Sequence, residues 1–165
     1  MAQTASIVTG KVSGFFTASN TGLGAVIGNL VLTTGMEVAA IRPASVVRQN
    51  TPIGLLEKAR AVKYPSVHIY VDRVQNHLTE KFRTFSGKIR TVAEVRVSQD
   101  RIEGLEDQVR LYVDGVTQIL DANRGTWGEG MFFAGPYEVK YEPVQHGGQN
   151  FLQIAKVSFE VDLSS

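Results

Sequence analysis

The glycine-rich stretch NTGLGAVIG is the part of the sequence most like a phosphate-binding loop. A dinucleotide-binding turn has the spacing GxGxxG after a buried strand and an acidic residue about twenty positions later. Here Gly22, Gly24 and Gly28 have the spacing GxGxxxG, and the preceding FFTAS is a poor central strand. Glu37 comes too early, and no GK[ST] follows as a P-loop would require. We therefore predict no cofactor site. We expect NTGLGAVIG to be a flexible, uncharged bend whose glycines allow close packing against a neighbouring subunit, and we expect any assembly-dependent ordering within residues 12–36.

The three histidines do not form a metal-binding pattern. His68, His77 and His146 lack HExxH or other ligand spacing, and only His68 has a carboxylate close in sequence, Asp72. Ordinary strand and turn positions account for them better. The serines lack the GxSxG spacing of a nucleophile elbow. We predict no catalytic residue, no metal ligand and no cofactor, and we expect that the protein is not an enzyme.

Composition indicates one domain with a hydrophobic core. The chain has 165 residues, of which 43% are hydrophobic, and it has no cysteine for disulfides or thiolate ligands. The lack of cysteine fits maturation in a reducing compartment, and the N-terminus shows no secretory signal. The uncharged residues 12–36 are long enough to span a bilayer, but glycine, asparagine and threonine dilute their apolarity. We expect no membrane insertion.

The clearest helix signal lies in IEGLEDQVRLYVDGVTQILDAN. Its apolar residues recur at the three-and-four spacing of one helical face: Ile102, Leu105, Val109, Tyr112, Val113, Val116, Ile119 and Leu120. Ser98 or Asp100 is the predicted cap, and Asn123 is the predicted stop. The paired carboxylates Glu106 and Asp107 have no apolar surroundings to separate their pKa values. A solvated or partner-facing acidic surface is therefore predicted for this helix.

Two further helices are predicted. One follows TPIGLLEKARAV, with Thr51 as the cap and Pro52 at the first helical position. Tyr64-Pro65 ends it. The other lies near the N-terminus, where one face carries Val8, Val12, Phe15 and Phe16.

Four segments alternate with period two, as half-buried strands do: SVHIYVDRV, TFSGKIRTVAEVRVS, PYEVKYE and FLQIAKVSFEVDL. The last two are joined by PVQHGGQN, where Gly147-Gly148 suits a hairpin loop. We predict a single α+β domain over residues 1–165. Its antiparallel sheet has about four or more strands and packs on two to three helices. Residues 1–50 form a segment rich in glycine and small residues, and residues 51–165 form a helix-strand-strand-helix-strand-strand core.

Charge is unevenly divided along the chain, although the net charge is only +1. Residues 1–98 contain 12 Lys and Arg against 5 Asp and Glu, and residues 99–165 contain 5 against 11. Two interpretations stay open. The two halves neutralise each other within one subunit, or basic and acidic surfaces dock head to tail between copies.

A nucleic-acid interface is a further alternative. Lys and Arg residues at positions 81, 83, 88, 90 and 96 are interleaved with Phe82 and Phe85. The period-two pattern favours a core position for both aromatic side chains. Trp127, flanked by glycines, also has two interpretations: an exposed anchor for a partner, or a plug at the base of the core.

Five segments follow one another after residue 50: the strands SVHIYVDRVQ and GKIRTVAEVRVS, the helix IEGLEDQVRLYVDGVTQIL, the tract GMFFAGPYEVKYEP and the strand NFLQIAKVSFEVDL. This succession resembles the tail terminator (head–tail joining) proteins of long-tailed bacteriophages over about residues 50–165. The resemblance lies in the order of elements and in the closing strand, without a diagnostic motif.

The resemblance implies a virion structural protein without catalysis. Its expected form is a six-membered ring at the junction of tail and head, assembled in the host cytoplasm. Its expected partners are copies of itself, the tail tube protein and the head connector or stopper protein, with DNA passing through the lumen without sequence-specific binding. An adaptor, stopper or neck protein of the same junction is the alternative, and a nucleic-acid-binding module is another.

Charge sign and expected exposure select the candidate contacts. On one subunit we expect the strand cations Lys88, Arg90 and Arg96. They would meet helix carboxylates of the next subunit, namely Glu103, Glu106, Asp107 and Asp114. Trp127 and His146 are candidate partner contacts, and the hairpins 75–84 and 143–150 are expected to reach neighbouring rings.

Overall fold

Three helices and one curled sheet make up the described part of the chain. The computed structural model describes residues 3–52, 63–147 and 149–165. The helices in these ranges are α1 (Thr4–Thr17), α2 (Leu23–Thr34) and α3 (Leu105–Ala122), and a 3-10 turn occupies Pro43–Ser45. The strands are β1 (Val46–Val47), β2 (Ser66–Asn76), β3 (Ser86–Gln99), β4 (Gly125–Gly128), β5 (Met131–Phe133), β6 (Tyr137–Tyr141), β7 (Gln145–Gly147) and β8 (Asn150–Ser164).

The sheet is mixed, with the order β1-β2-β3-β8-β5-β4, and β6 and β7 also pair with β8. Most neighbouring strands are antiparallel, as predicted, but the short β1 pairs with β2 in parallel. One hydrophobic core joins the three helices to one face of the sheet. The predicted α+β class and the single domain are therefore confirmed.

β3 and β8 form the centre of the sheet. All 14 residues of β3 pair with β8, from Ser86 opposite Ser164 to Gln99 opposite Phe151. Alternate side chains point to opposite faces, so one face carries apolar pairs such as Ile89 with Val161. The other face, which we call the open face, carries Lys88, Arg90, Glu94, Arg96 and their β8 neighbours. The alternation predicted for both strands is confirmed.

Helix α3 presents the predicted apolar side to the core, but it begins later than expected. Leu105 is its first residue and Gly104 precedes it, so neither Ser98 nor Asp100 is the cap. β3 continues to Gln99, whose side-chain amide donates to the carbonyls of Arg101 and Glu103 and holds the connection as a turn. Ile102 consequently lies before the helix and is 50% exposed. The predicted end is confirmed, because Asn123 is the residue after the last turn.

The glycine-rich stretch NTGLGAVIG forms a turn and the start of α2, so the prediction of a flexible bend there is wrong, whereas its packing against a neighbouring subunit stays a prediction. Gly22 separates α1 from α2, and a Cβ there would lie 2.3 Å from the carbonyl oxygen of Ala18. Only glycine fits this close backbone approach. Gly35 ends α2 with φ 71°, and its amide donates to the carbonyl of Val31. Leu23 and Ile27 of α2 enter the core, which offsets the low helix propensity of the glycines.

The predicted N-terminal helix is confirmed as α1, whose Val8, Val12 and Phe16 are buried. The helix predicted from TPIGLLEKARAV falls on residues 53–62, which lie outside the described residues.

Tyr112 of α3 connects the helix to the segment that follows α2. Burial raises the pKa of Tyr112 to about 12, and its hydroxyl donates to the carbonyl of Ala39. That bond ties the segment after α2 to α3.

Aromatic stacking closes one end of the core and gives a matched test. Phe133 is fully buried, and its ring lies 5.5 Å from the rings of both Trp127 and Phe159. We expect Phe133→Ala to lower the free energy of unfolding by about 3–5 kcal/mol, because it leaves a cavity between these rings. Phe132, its neighbour in β5, is 45% exposed, and we expect Phe132→Ala to cost less than about 1 kcal/mol. Urea denaturation measures both, and equal losses would contradict this packing.

Candidate functional site

The structure separates the candidate interface residues into two groups. The cations Lys88, Arg90 and Arg96 lie on the open face of the sheet, in β3. The carboxylates are exposed: Glu103, Glu106 and Asp107 lie at or near the start of α3, and Asp114 lies in the middle of the helix. Whether either group contacts another subunit stays a prediction, but their surroundings within one subunit are defined.

Lys88 and Arg90 already have carboxylate partners in the same sheet. Lys88 Nζ lies 3.2 Å from Asp162 Oδ1 and 3.5 Å from Glu160 Oε2. The hydrogen bond to Asp162 is the main cause that raises the pKa of Lys88. Arg90 Nε lies 3.6 Å from Asp72 Oδ2. These pairs favour neutralisation within the subunit over docking for the β3 cations.

Arg96 is buried, so the exposure expected for it is wrong. Its residue is 3% exposed, and its Nε donates to Glu94 Oε2 over 2.6 Å. Its Nη2 donates to the carbonyl of Thr51 over 2.8 Å, and its Nη1 has no hydrogen-bond partner among the described residues. Residues 50–52 therefore lie beside Arg96 on the open face. We leave Arg96 out of the proposed subunit contact.

Glu94 is the centre of this buried network. Besides the Arg96 guanidinium, it accepts a hydrogen bond from the Tyr70 hydroxyl, and Lys156 Nζ lies 3.8 Å away. Burial and the adjacent Glu94 charge raise the pKa of Tyr70, which keeps the hydroxyl protonated as the donor. His68 stands opposite Glu94 in β2 and is also buried. Burial, and then the Arg96 charge, lower the pKa of His68, so its imidazole is held neutral.

A groove of about 730 Å³ runs across the open face above this network. Its lining comes from β2, β3, β6, β7 and β8 and from residues 50, 52 and 142. The lining cations Arg90, Arg96, Lys140 and Lys156 face the carboxylates Asp72, Glu94, Glu138 and Glu142. Because equal numbers of opposite charges line it and most of them are paired with one another, the groove presents little net charge to a ligand.

The acidic residues of α3 are solvated and only partly paired. Arg110 lies 3.4 Å from carboxylate oxygens of both Glu106 and Asp107, one turn earlier. Both carboxylates stand in the first turn, where the helix dipole favours negative charge. Asp114 lies near Tyr141 of β6, and together with burial its charge raises the pKa of Tyr141. A solvated acidic surface matches the expectation for this helix.

Trp127 and His146 occupy different environments. Trp127 is 6% exposed, its ring lies 5.1 Å from Phe15, and its Nε1 donates to the carbonyl of Asn123. The core interpretation of Trp127 is therefore confirmed, and the exposed anchor is wrong. His146 lies in β7, is exposed and packs edge-on against Phe151. Its role as a partner contact stays a prediction.

The hairpin between β2 and β3, predicted as a contact with neighbouring rings, exposes an aromatic side chain that the sequence patterns placed in the core. Phe82 has an exposure of 103%, so the core position predicted for it is wrong, whereas that of Phe85 is confirmed at 0%. Leu78 in the same loop is 61% exposed. The signal in the sequence is the tripeptide Lys81-Phe82-Arg83, an aromatic residue between two cations outside any alternating run.

Within residues 3–52, 63–147 and 149–165, no cluster of three or more His, Asp or Glu side chains has the arrangement of a metal site. Among the helices described, none is long and apolar enough to cross a membrane.

Comparison with known proteins adds no family. A scan against protein-family models finds no match, and a search of curated proteins finds no significantly similar sequence.

The buried Glu94–Arg96 pair gives a second matched test. We expect Glu94→Gln to lower the free energy of unfolding by about 3 kcal/mol, because it leaves the Arg96 guanidinium buried without its counter-charge. Glu138 faces the same groove but is exposed, so Glu138→Gln is the control, with an expected change within about 0.5 kcal/mol. Urea denaturation at neutral pH measures both, and a neutral Glu94→Gln would show that the pair is not buried as described.

Proposed function

We propose that this chain is a structural subunit of a long-tailed bacteriophage, a tail terminator that closes into a six-membered ring. The ring caps the tail tube at the head-proximal end and offers the surface that the head connector or stopper protein joins. It acts in the virion after assembly in the host cytoplasm. DNA passes through its lumen without sequence-specific contacts.

The order of elements is the observation that carries this proposal. A long hairpin of β2 and β3, the acidic helix α3, the strand β6 and the closing strand β8 follow one another from Ser66 to Ser164. This is the succession on which the resemblance to tail terminators rests. The short strands β4, β5 and β7 extend the same sheet without changing that order.

The surface charges support a repeating contact between copies. A ring of identical subunits needs two different surfaces that complement each other, because each subunit contacts one neighbour with each surface. The start of α3 offers exposed carboxylates. The β3 cations are largely occupied by their own subunit, so the basic counterpart must come from another part of the chain.

The proposal predicts a closed oligomer. Native mass spectrometry of the purified 18.0-kDa chain should give a dominant species of about six times that mass, and negative-stain images should show rings with a central opening. Added to polymerising tube protein, these rings should bind at one tube end and stop elongation. A protein that is strictly monomeric across the tested concentrations would contradict the proposal. Rings that bind head connectors but never tube ends would favour an adaptor or stopper position.

A further inference from the structure

The loop that joins β2 to β3, residues 77–85, is built to present an aromatic side chain. We call it the hairpin tip. Phe82 has φ 65° and Leu78 has φ 49°, left-handed conformations that are uncommon for residues with these side chains. Both side chains point into solvent, so burial does not offset the strain within the subunit. Strained, exposed apolar residues of this kind are typical of binding sites.

Hydrogen bonds hold the hairpin tip in this shape. Asn76 Oδ1 accepts from the amides of Leu78 and Ser86, and Ser86 Oγ accepts from the amide of Glu80. The carbonyl of Ser165 accepts from the amides of Thr84 and Phe85. A loop ordered in advance loses little conformational entropy when it binds, which favours a specific contact.

The charge of the tip is positive around the aromatic ring. Lys81 and Arg83 flank Phe82 and are exposed. Arg83 lies 3.7 Å from Glu80, whose carboxylate also accepts from the Ser164 hydroxyl. Lys81 makes no ion pair with any described residue. The tip therefore fits a surface that combines apolar area with negative charge.

Such a surface exists at the start of α3, and we call it the acidic end. Ile102 is half exposed and is followed by Glu103, whose side chain forms no ion pair among the described residues. Glu106 and Asp107 continue the negative charge into the first turn. Gln99 fixes the backbone of this connection through its bonds to the carbonyls of residues 101 and 103. The dipole explains acids in the first helical turn, but it does not explain an exposed isoleucine beside them.

The two surfaces lie at opposite ends of the same strand. β3 starts beside the hairpin tip at Ser86 and ends at Gln99, just before the acidic end. Fourteen residues of extended strand span roughly 45 Å. One subunit therefore cannot bring its own tip to its own acidic end, whereas two copies placed head to tail can.

We propose that the hairpin tip of one subunit docks on the acidic end of the next copy of this chain, with Phe82 against Ile102 and Lys81 and Arg83 facing Glu103, Glu106 and Asp107. The contact is heterologous, so its repetition produces a closed ring or an open filament according to the rotation between copies. The inference rests on the proposed ring function and specifies its subunit contact.

A second copy fits the tip better than the other partners of a basic aromatic loop. Nucleic acid and anionic membranes also attract Lys and Arg beside an aromatic ring. Neither of these partners accounts for the presence of two complementary surfaces, the hairpin tip and the acidic end, on every subunit. Docking of the basic tip on the acidic end also gives a physical role to the excess of basic residues before position 99 and of acidic residues after it.

Two variants each remove one side of the contact. The tip variant is Lys81→Glu/Phe82→Ala/Arg83→Glu, and the end variant is Ile102→Ser/Glu103→Lys. All five positions are exposed and lie outside helices and strands, so we expect both variants to fold with the circular dichroism of the parent. The control is Phe132→Ala/Glu37→Lys, which changes an exposed aromatic residue and an exposed carboxylate elsewhere. If either variant fails to fold, Phe82→Ser or Ile102→Ser alone replaces it.

Native mass spectrometry of the separate and mixed proteins tests the proposal. The parent and the control should form rings, and each contact variant should weaken association at least about thirtyfold, as loss of an interface anchor does. Mixed in equal amounts, the two variants should form only a heterodimer. The intact tip of the end variant can dock on the intact acidic end of the tip variant, and no second contact is possible. A mixture that stays monomeric, or variants that still form rings, would overturn the inference.

The outcomes also separate this inference from the proposed function. Rings in both variants would leave the ring function standing and reject the contact. Parent filaments that both variants abolish would support the contact and contradict a terminator ring. Rings that persist while salt-dependent DNA retention is lost would assign the tip to nucleic acid and overturn the inference.

Discussion

The continuous pairing of β3 with β8 is the constraint on which the rest of the subunit depends. It places the apolar residues of both strands on one face, where α1 and α3 cover them. It also makes β8 the support for β5, β6 and β7 on its other side. Because β3 is long and unbroken, the hairpin at its start and the helix after its end are held far apart. The hydrophobic core and the distance between the two end surfaces therefore have one common cause.

Most charged side chains on the open face of the sheet are unsuited to binding another subunit, because they are already paired within their own subunit. Lys88 is paired with Asp162 of β8 and Arg90 with Asp72 of β2, so both cations have a partner across the sheet. The Glu94–Arg96 pair is desolvated, and its removal from water is offset by the Tyr70 hydroxyl and the carbonyl of Thr51. Among the exposed charges that are unpaired or only partly paired, those of the hairpin tip and of the acidic end lie at opposite ends of β3. The proposed head-to-tail contact uses those ends.

The apolar periodicity of the sequence was sufficient to predict the long helices and strands. It was not sufficient to predict the short strands, the loops or the residues that cover the open face. β2, β3, β8, α1 and α3 follow from their apolar spacing, because each buries apolar side chains on one face of a regular element. β6 is the strand predicted from PYEVKYE, but its Tyr137 and Tyr141 are exposed. α2 was missed because its glycines and lack of charge disguise two core residues, and β1, β4 and β5 are too short to show a period. Alternation placed Arg96 opposite the core, but it could not reveal that residues 50–52 cover that face. It also misplaced Phe82, because the strand pattern does not extend into the loop.

Crosslinking between the two ends is the most direct test of the head-to-tail contact. The chain has no cysteine, so His77→Cys in the hairpin tip and Asp100→Cys beside the acidic end introduce the only two thiols at exposed positions and leave Phe82 and Ile102 in place. A short bis-maleimide reagent should then link the double variant into a ladder of dimers, trimers and larger species that ends at the closed ring. Each single variant has one thiol per chain and should give no product larger than a dimer. A double variant that shows only monomers and dimers, in a preparation that forms rings, would contradict the head-to-tail contact.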